Sequence, residues 1–344
     1  MQQLPTLSIC VPAYNRPEEL RVLLANLAPQ ATDGIEIIVS DDCSPRQKEI
    51  HAAVREAEDN SPSATIRYVS NTTNLGYDGN VRAVIEQASG DYCLIMGDDD
   101  VLSPDAVQTV RIVTAQPKVG VILRAWKSVD KLTGTELQQH RYFRCDRTFS
   151  PGPKTTTAFF RRCIFISGLT IRKDLARHYA TDRFDGTLLY QLYLVGRILA
   201  DHRGHYISDI IALRRVGGTH FFGTSESERD KFSPGGLEPE HSLNFVKGFL
   251  QIAQALSVEV EPSLYDAITK ELAYYSYPLL ALHAGDRLAF KGYAKALGDL
   301  GLDRYLPFHV YRWALRALGP DFLNQAVVLA KRAIPATPEF GRGR

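Results

Sequence analysis

The chain has 344 residues, 44% hydrophobic and 23% charged, with a formal net charge of +1. That composition belongs to a globular protein and offers no global basic field for nucleic acid. Five cysteines, an odd number without a CxxC pair, argue for a reducing compartment and against a disulfide framework or a zinc site.

At ~100–200 residues per domain, the length suggests two domains or one large domain with an appendage. The N-terminus lacks the basic-then-apolar pattern of a secretory signal, and no apolar run approaches the ~18 residues of a membrane span. A cytoplasmic protein is expected.

In chain order, Leu7–Val11 reads as a strand ending at Pro12. A helix over Glu18–Leu27 follows, with Leu20, Leu23, Leu24 and Leu27 on one stripe. Ile35–Val39 is a second strand and Gln47–Ala57 a second helix. Ile66–Val69 is a strand and Asn80–Ala88 a helix. Tyr92–Met96 is a strand and Pro104–Thr114 a helix. Val119–Ala125 reads as a further strand, 140–160 as irregular, and Cys163–Ile171 as a buried strand kinked at Gly168. Leu188–Ala200 is a helix and Tyr206–Arg215 a strand leading into Gly217 and Gly218. Beyond Pro239 only helices are expected, over Leu243–Leu256, Leu264–Tyr275, Leu279–Leu297 and Leu306–Ile334, the last split at Gly319-Pro320. Residues 336–344 are expected to be a disordered tail.

Strands alternating with helices specify a doubly wound, mostly parallel sheet whose ligands lie outside the carboxyl ends of the strands. The polar clusters Ala13–Arg16, Asp41-Asp42, Asn71–Gly79 and Asp98–Asp100 each follow a strand end. Three consecutive carboxylates repel one another unless a cation neutralises them. Their oxygens suit Mg²⁺ or Mn²⁺, which is commonly held by one or two carboxylates plus substrate phosphates. A plain strand-to-helix turn, with one Asp capping the helix that Pro104 begins, is the alternative.

The clusters Ser8–Arg16, Ile37–Ser44, Asn74–Gly76, Ala88–Tyr92 and Met96–Asp100, in that order, resemble family 2 glycosyltransferases of the GT-A fold. The Gly97–Asp100 variant and the Asn74–Asn80 stretch look most like transferases of the bacterial abequosyltransferase type. The resemblance is firm over 1–125, weaker to about 225, and absent from the helical tail. It implies a GT-A, Rossmann-like α/β fold, mostly parallel and flanked by helices, over 1–225. Residues 1–125 would be the nucleotide-sugar half and 126–225 the acceptor half, with an all-helical region over 239–335. It implies inverting transfer of a sugar from a nucleotide diphosphosugar to an acceptor hydroxyl, assisted by Mn²⁺ or Mg²⁺. A metal can neutralise the leaving diphosphate, and one carboxylate base suffices for inversion.

By position, the resemblance places Pro12, Ala13, Tyr14, Asn15 and Arg16 around the nucleotide, and has Asp42 accepting from a base N–H. Asn74, Gly76 and Asn80 border the nucleotide, although a glycine turn with Asn caps describes them equally well. Anchored on Pro104, Gly97-Asp98-Asp99 occupies the family's metal motif, making Asp99 the principal ligand and Asp98 a ribose or metal-water contact. The literal reading Asp98-x-Asp100 keeps Asp100 as a ligand. His220 stands where such enzymes place a metal- or diphosphate-proximal histidine, and Arg214 and Arg215 are candidates for the diphosphate. The family's Glu-Asp pair is missing. Asp185 is the candidate base, with Asp182 second, and helix capping is the alternative role for Asp185. Gly168 is expected to leave room for the acceptor.

The helical tail interleaves aromatics with Arg304, Arg312, Arg316, Lys331 and Arg332, a pattern that suits a membrane surface, core packing or a homo-oligomer interface. With the resemblance, the leading expectation is a cytoplasmic, metal-dependent, inverting glycosyltransferase building O-antigen or another surface polysaccharide on a lipid-linked acceptor, for which a tail at the inner membrane face would be useful. A nucleotidyltransferase is the second enzyme reading, opposed by the lack of glycine in Val11–Arg16. A non-catalytic nucleotide-sugar-binding scaffold is the third, supported by the missing Glu-Asp pair.

Overall fold

The computed structural model describes residues 5–236 and 238–333; the expected tail at 336–344 lies outside them. The chain divides between Gly235 and Gly236 into two compact units.

The first unit alternates strands and helices: β1 (Leu7–Ala13), α1 (Pro17–Leu27), β2 (Ile35–Asp41), α2 (Gln47–Asn60), β3 (Thr65–Ser70), α3 (Gly76–Gln87), β4 (Tyr92–Ile95), β5 (Val101–Leu102) and α4 (Ala106–Thr114). Then come β6 (Val119–Asp130), β7 (Glu136–His140), β8 (Arg147–Phe149), α5 (Pro153–Phe160), β9 (Leu169–Arg172), α6 (Lys173–His178), α7 (Tyr190–Asp201) and β10 (Arg203–Val216). One sheet runs β3-β2-β1-β4-β9-β6-β10-β5, with β7 on β6 and β8 on β10. β1, β2, β3 and β4 pair in parallel, as do β6 and β10, whereas β9 runs antiparallel to both β4 and β6. Ile9, Val11, Ile37, Val39, Leu94 and Ile95 are fully buried. Continuous apolar strands of this kind are what a sheet covered on both faces requires.

Several boundaries differ from the sequence reading, each for a local reason. α3 begins at Gly76 rather than Asn80, because Asp42 and Asn74 accept from Gly76 N and Glu228 accepts from Tyr77 N. α4 starts after Pro104, because the chain is still pairing with β10 at Val101–Leu102 and Ser103 N donates to Ile211 O. No member of the Asp triplet caps that helix; its N-cap is Asp105, at φ 60°. The long strand expected over Cys163–Ile171 shrinks to β9, since Arg124 donates to the carbonyls of Phe165 and Ser167 that a ladder would use. The segment 140–160 is not irregular throughout: it holds β8 and α5.

The second unit is helical: α8 (Pro239–Glu259), α9 (Leu264–Tyr274), α10 (Tyr277–Ala281), α11 (Arg287–Asp299), α12 (Leu306–Leu318) and α13 (Pro320–Ala333). The single helix expected over Leu279–Leu297 is two, because Asp286 accepts from Leu288 N and Ala289 N and so starts a new helix. Among the described residues no helix is long and apolar enough to cross a membrane.

Candidate functional site

The strand order reverses between β1 and β4, which opens a crevice at their carboxyl ends. The loop after β1 carries Tyr14, Asn15 and Arg16; the loop after β4 carries Gly97 to Asp100. They meet at Asp98. Tyr14 N donates to Asp98 Oδ2 at 3.1 Å and Arg16 Nη1 to Asp98 Oδ1 at 2.6 Å. The same Arg16 nitrogen lies 3.2 Å from Asp99 Oδ2. Arg16 Nε and Nη2 both donate to Thr219 O, at 3.0 and 2.7 Å, and its guanidinium lies 5.6 Å from the centre of the Phe221 ring. Phe221 in turn meets the Tyr14 ring edge-on.

The three carboxylates are not equivalent. The Asp98 side chain is 5% exposed and that of Asp99 30%. Burial pushes Asp98 up to about 6 against the pull of Arg16. Asp100 is turned inward: Oδ2 accepts from Ser167 Oγ at 2.5 Å and Oδ1 from Arg215 N at 3.1 Å. Burial, then the neighbouring Asp99, raises it to about 7. Both Asp100 oxygens are thus engaged within the protein, and Asp99 presents the most exposed carboxylate of the three.

The loop after β10 closes over this crevice. Gly218 lies close to Asp99, leaving a Cβ there only 3.7 Å from Asp99 Oδ2. His220 stacks on Phe222, and burial, then Arg16, pushes its pKa down. Arg214 bears electrostatically on both His220 and Asp100. Two buried side-chain atoms have no partner among the described residues: Asn15 Oδ1, in the loop after β1, and Arg215 Nη1, near the end of β10. One acceptor and one cationic donor left unmatched suit a ligand bearing hydroxyls and anionic oxygens.

On the other side, Pro12 and Ala13 end β1 beside Ser40 and Asp41. Asp42 accepts from Asn71 Nδ2, Leu75 N and Gly76 N, all within 2.9 Å, and burial lifts it to about 6 despite them. A base N–H would therefore be a further donor to a carboxylate that already orders the 71–76 loop. Asn74 Oδ1 accepts from Gly76 N, and its amide donates to Thr224 Oγ1. Asn80 is buried: it donates to Ser40 O and accepts from Ser40 Oγ, tying the ends of β1 and β2 together. Gly76 sits at φ +78°, where a Cβ would meet Ser225 Oγ at 2.5 Å and Glu228 Oε1 at 2.7 Å.

The turn before α7 is built by carboxylates. Asp185 takes a fork from Arg82, at 2.6 and 2.7 Å, and Asp182 lies exposed in the same loop. Asp78, fully buried, accepts from Thr187 N, Leu188 N and Tyr190 N at 2.8–2.9 Å. Those bonds hold Leu188 at φ 63°, a strained conformation for a branched residue. Burial raises Asp78 to about 7. Glu228 latches the loop after β10 onto α3, accepting from Tyr77 N at 2.6 Å and Gly223 N at 2.8 Å. Asp78, Arg82, Ser167 and Glu228 were not singled out by sequence reasoning. Only Asp78 carried a signal, inside the glycine-flanked stretch Gly76–Gly79.

Among the described residues no group of three or more His, Cys, Asp or Glu side chains forms a metal cage. Asp99, the most exposed of the three carboxylates, offers a hard oxygen ligand, a donor that suits Mg²⁺ or Mn²⁺ when a substrate supplies further oxygens.

Residues 8–169 match the family described as Glycosyl transferase family 2. The chain is 40% identical over 103 residues to abequosyltransferase RfbV of Salmonella typhimurium, covering 29% of this chain and 30% of the relative. It is 32% identical over 109 residues to the GalNAc(5)-diNAcBac-PP-undecaprenol beta-1,3-glucosyltransferase of Campylobacter jejuni, covering 31% and 34%. The matched stretches thus span about a third of these relatives. In structure the chain resembles S. aureus TarS 1–349 in complex with UDP-GlcNAc, with TM-score 0.60, 16% identity and coverage of 92% of this chain and 88% of the other. That likeness shows the fold, a mixed α/β GT-A arrangement with a helical C-terminal region.

Proposed function

We propose that this chain, whose residues 8–169 match glycosyl transferase family 2, moves a sugar from a nucleotide diphosphosugar to an acceptor hydroxyl in bacterial surface-glycan synthesis. The observation that carries the reading is the meeting of Arg16, Asp98 and Asp99 with His220 at the β1/β4 reversal, where an α/β sheet takes its ligand. The named relatives are an abequosyltransferase and a glucosyltransferase, the second named for an undecaprenol-linked glycan, which supports a lipid-linked acceptor.

The chain's own residues divide the work. Asp99 would hold Mn²⁺ or Mg²⁺ together with the donor diphosphate; when bound, the cation neutralises charge on the leaving group. Arg16 and the orphaned Arg215 Nη1 offer N–H donors to phosphate oxygens, and Asn15 Oδ1 accepts from a hydroxyl. Asp185 is the proposed base: the Arg82 fork uses two of its four acceptor sites and fixes its orientation, leaving two for an acceptor hydroxyl. Inversion then needs no covalent intermediate.

The test is release of nucleoside diphosphate from UDP-, dTDP-, GDP- and CDP-sugars with an undecaprenol-linked acceptor. Asp185→Asn should abolish acceptor-dependent release while leaving donor binding intact. Full activity in Asp185→Asn moves the base to Asp182, and no turnover with any donor, despite nucleotide binding, favours the scaffold reading.

A further inference from the structure

α12 is apolar on two opposite faces. Phe308 and Leu315 are fully or almost fully buried within the helical unit. Leu306, Val310, Trp313 and Ala317 recur at i, i+4, i+7 and i+11, which places them together on the other side. That side is open: Leu306 is 74% exposed, Val310 49% and Trp313 69%. Phe322 and Leu329 on α13 are likewise more than half exposed. A helix with so much apolar surface in water calls for a covering partner.

The charge pattern says which partner. α12 contains no Asp or Glu, and Arg312 and Arg316 lie one turn apart beside the apolar stripe. From Leu302 to Ala333 five Lys or Arg stand against two Asp. A second copy of this chain, seated by two-fold symmetry on the same stripe, would bring these arginines toward their own equivalents. An anionic lipid surface complements both features: its acyl boundary takes Leu306, Val310 and Trp313, and its headgroups pair with the arginines. Tryptophan also favours that boundary region.

We propose that the Leu306–Val310–Trp313 face of α12 docks in the plane of an anionic bilayer, flanked by Arg312 and Arg316. The inference rests on the helical unit alone and stands whether or not the transferase reading holds. The chain has two tryptophans, Trp126 and Trp313, so Trp126→Phe leaves Trp313 as the reporter. The full chain carrying that substitution is mixed with phosphatidylcholine vesicles with and without phosphatidylglycerol. The expected result is a blue shift of Trp313 emission and co-sedimentation with the anionic vesicles, both weakened by salt. Arg312→Gln with Arg316→Gln should weaken that partition by roughly thirtyfold. Leu306→Ser with Val310→Ser should abolish it at unchanged melting temperature, since neither residue is in the packed face. The proposal fails if neither vesicle binds, or if binding ignores the arginines and anionic lipid. It fails equally if the chain in solution is a dimer that shields Trp313 and is broken by the serine pair.

Discussion

Replacing Arg16 by alanine removes the one cation paired with Asp98 among the described residues. The buried Asp98 carboxylate would keep a single donor, Tyr14 N, and Thr219 O would lose both of its guanidinium contacts. Breaking one side of a buried ion pair costs about 3–5 kcal/mol. Arg16 is 16% exposed, so water can partly replace it and the low end, about 3 kcal/mol, is expected. For a unit of this size that is a fall in melting temperature of roughly 6–12 °C. The loss belongs to the stranded charge, so Asp98→Asn added to Arg16→Ala should restore about 1–3 kcal/mol. Chemical denaturation of the wild type, both single variants and the double variant measures that coupling. Strictly additive losses, or a double variant less stable than Arg16→Ala, would refute the reasoning.

Asp78 supplies a pH test. Its folded value of about 7 lies above the ordinary 3.8, so the native state holds an extra proton between them. Its contribution therefore favours the native state at low pH and declines as pH rises from about 4 to about 7. Asp78→Asn removes that titration, so its stability deficit relative to the wild type should shrink across this window; a deficit that grows with pH in equilibrium unfolding contradicts the assignment. Gly76→Ala forces an L side chain to φ +78° against Glu228 and Ser225. A loss of about 2 kcal/mol is expected, read as a lower melting temperature, and an unchanged one would show that the Glu228 latch yields freely.

What was legible in the sequence is what local patterns encode. Apolar runs such as Ile35–Val39 encode the buried strands, and polar clusters stand at their carboxyl ends. The inequality within the Asp triplet was not legible. Asp100 takes hydrogen bonds from Ser167 Oγ and from the backbone N–H of Arg215, 67 and 115 positions away. Glu228 sits in Thr224–Phe232, which reads as an ordinary polar loop. Its partner Tyr77 N is 151 positions distant, so only the fold reveals the latch. The early start of α3 has the same origin: two glycines suggested a loop, and carboxylates from elsewhere capped a helix. The break before α11 was different, since Gly285-Asp286 carried a readable N-cap signal that periodicity overrode.

The most direct measurement is thermal stability with UDP, dTDP, GDP and CDP, each with and without Mn²⁺, in the wild type and in Asp99→Ala. A ligand at 100 times its dissociation constant stabilises by about 2.7 kcal/mol, a readily measured shift. One diphosphate is expected to stabilise the wild type only with Mn²⁺, and Asp99→Ala to lose the effect. No metal-dependent shift with any of the four, or a full shift surviving in Asp99→Ala, would contradict it.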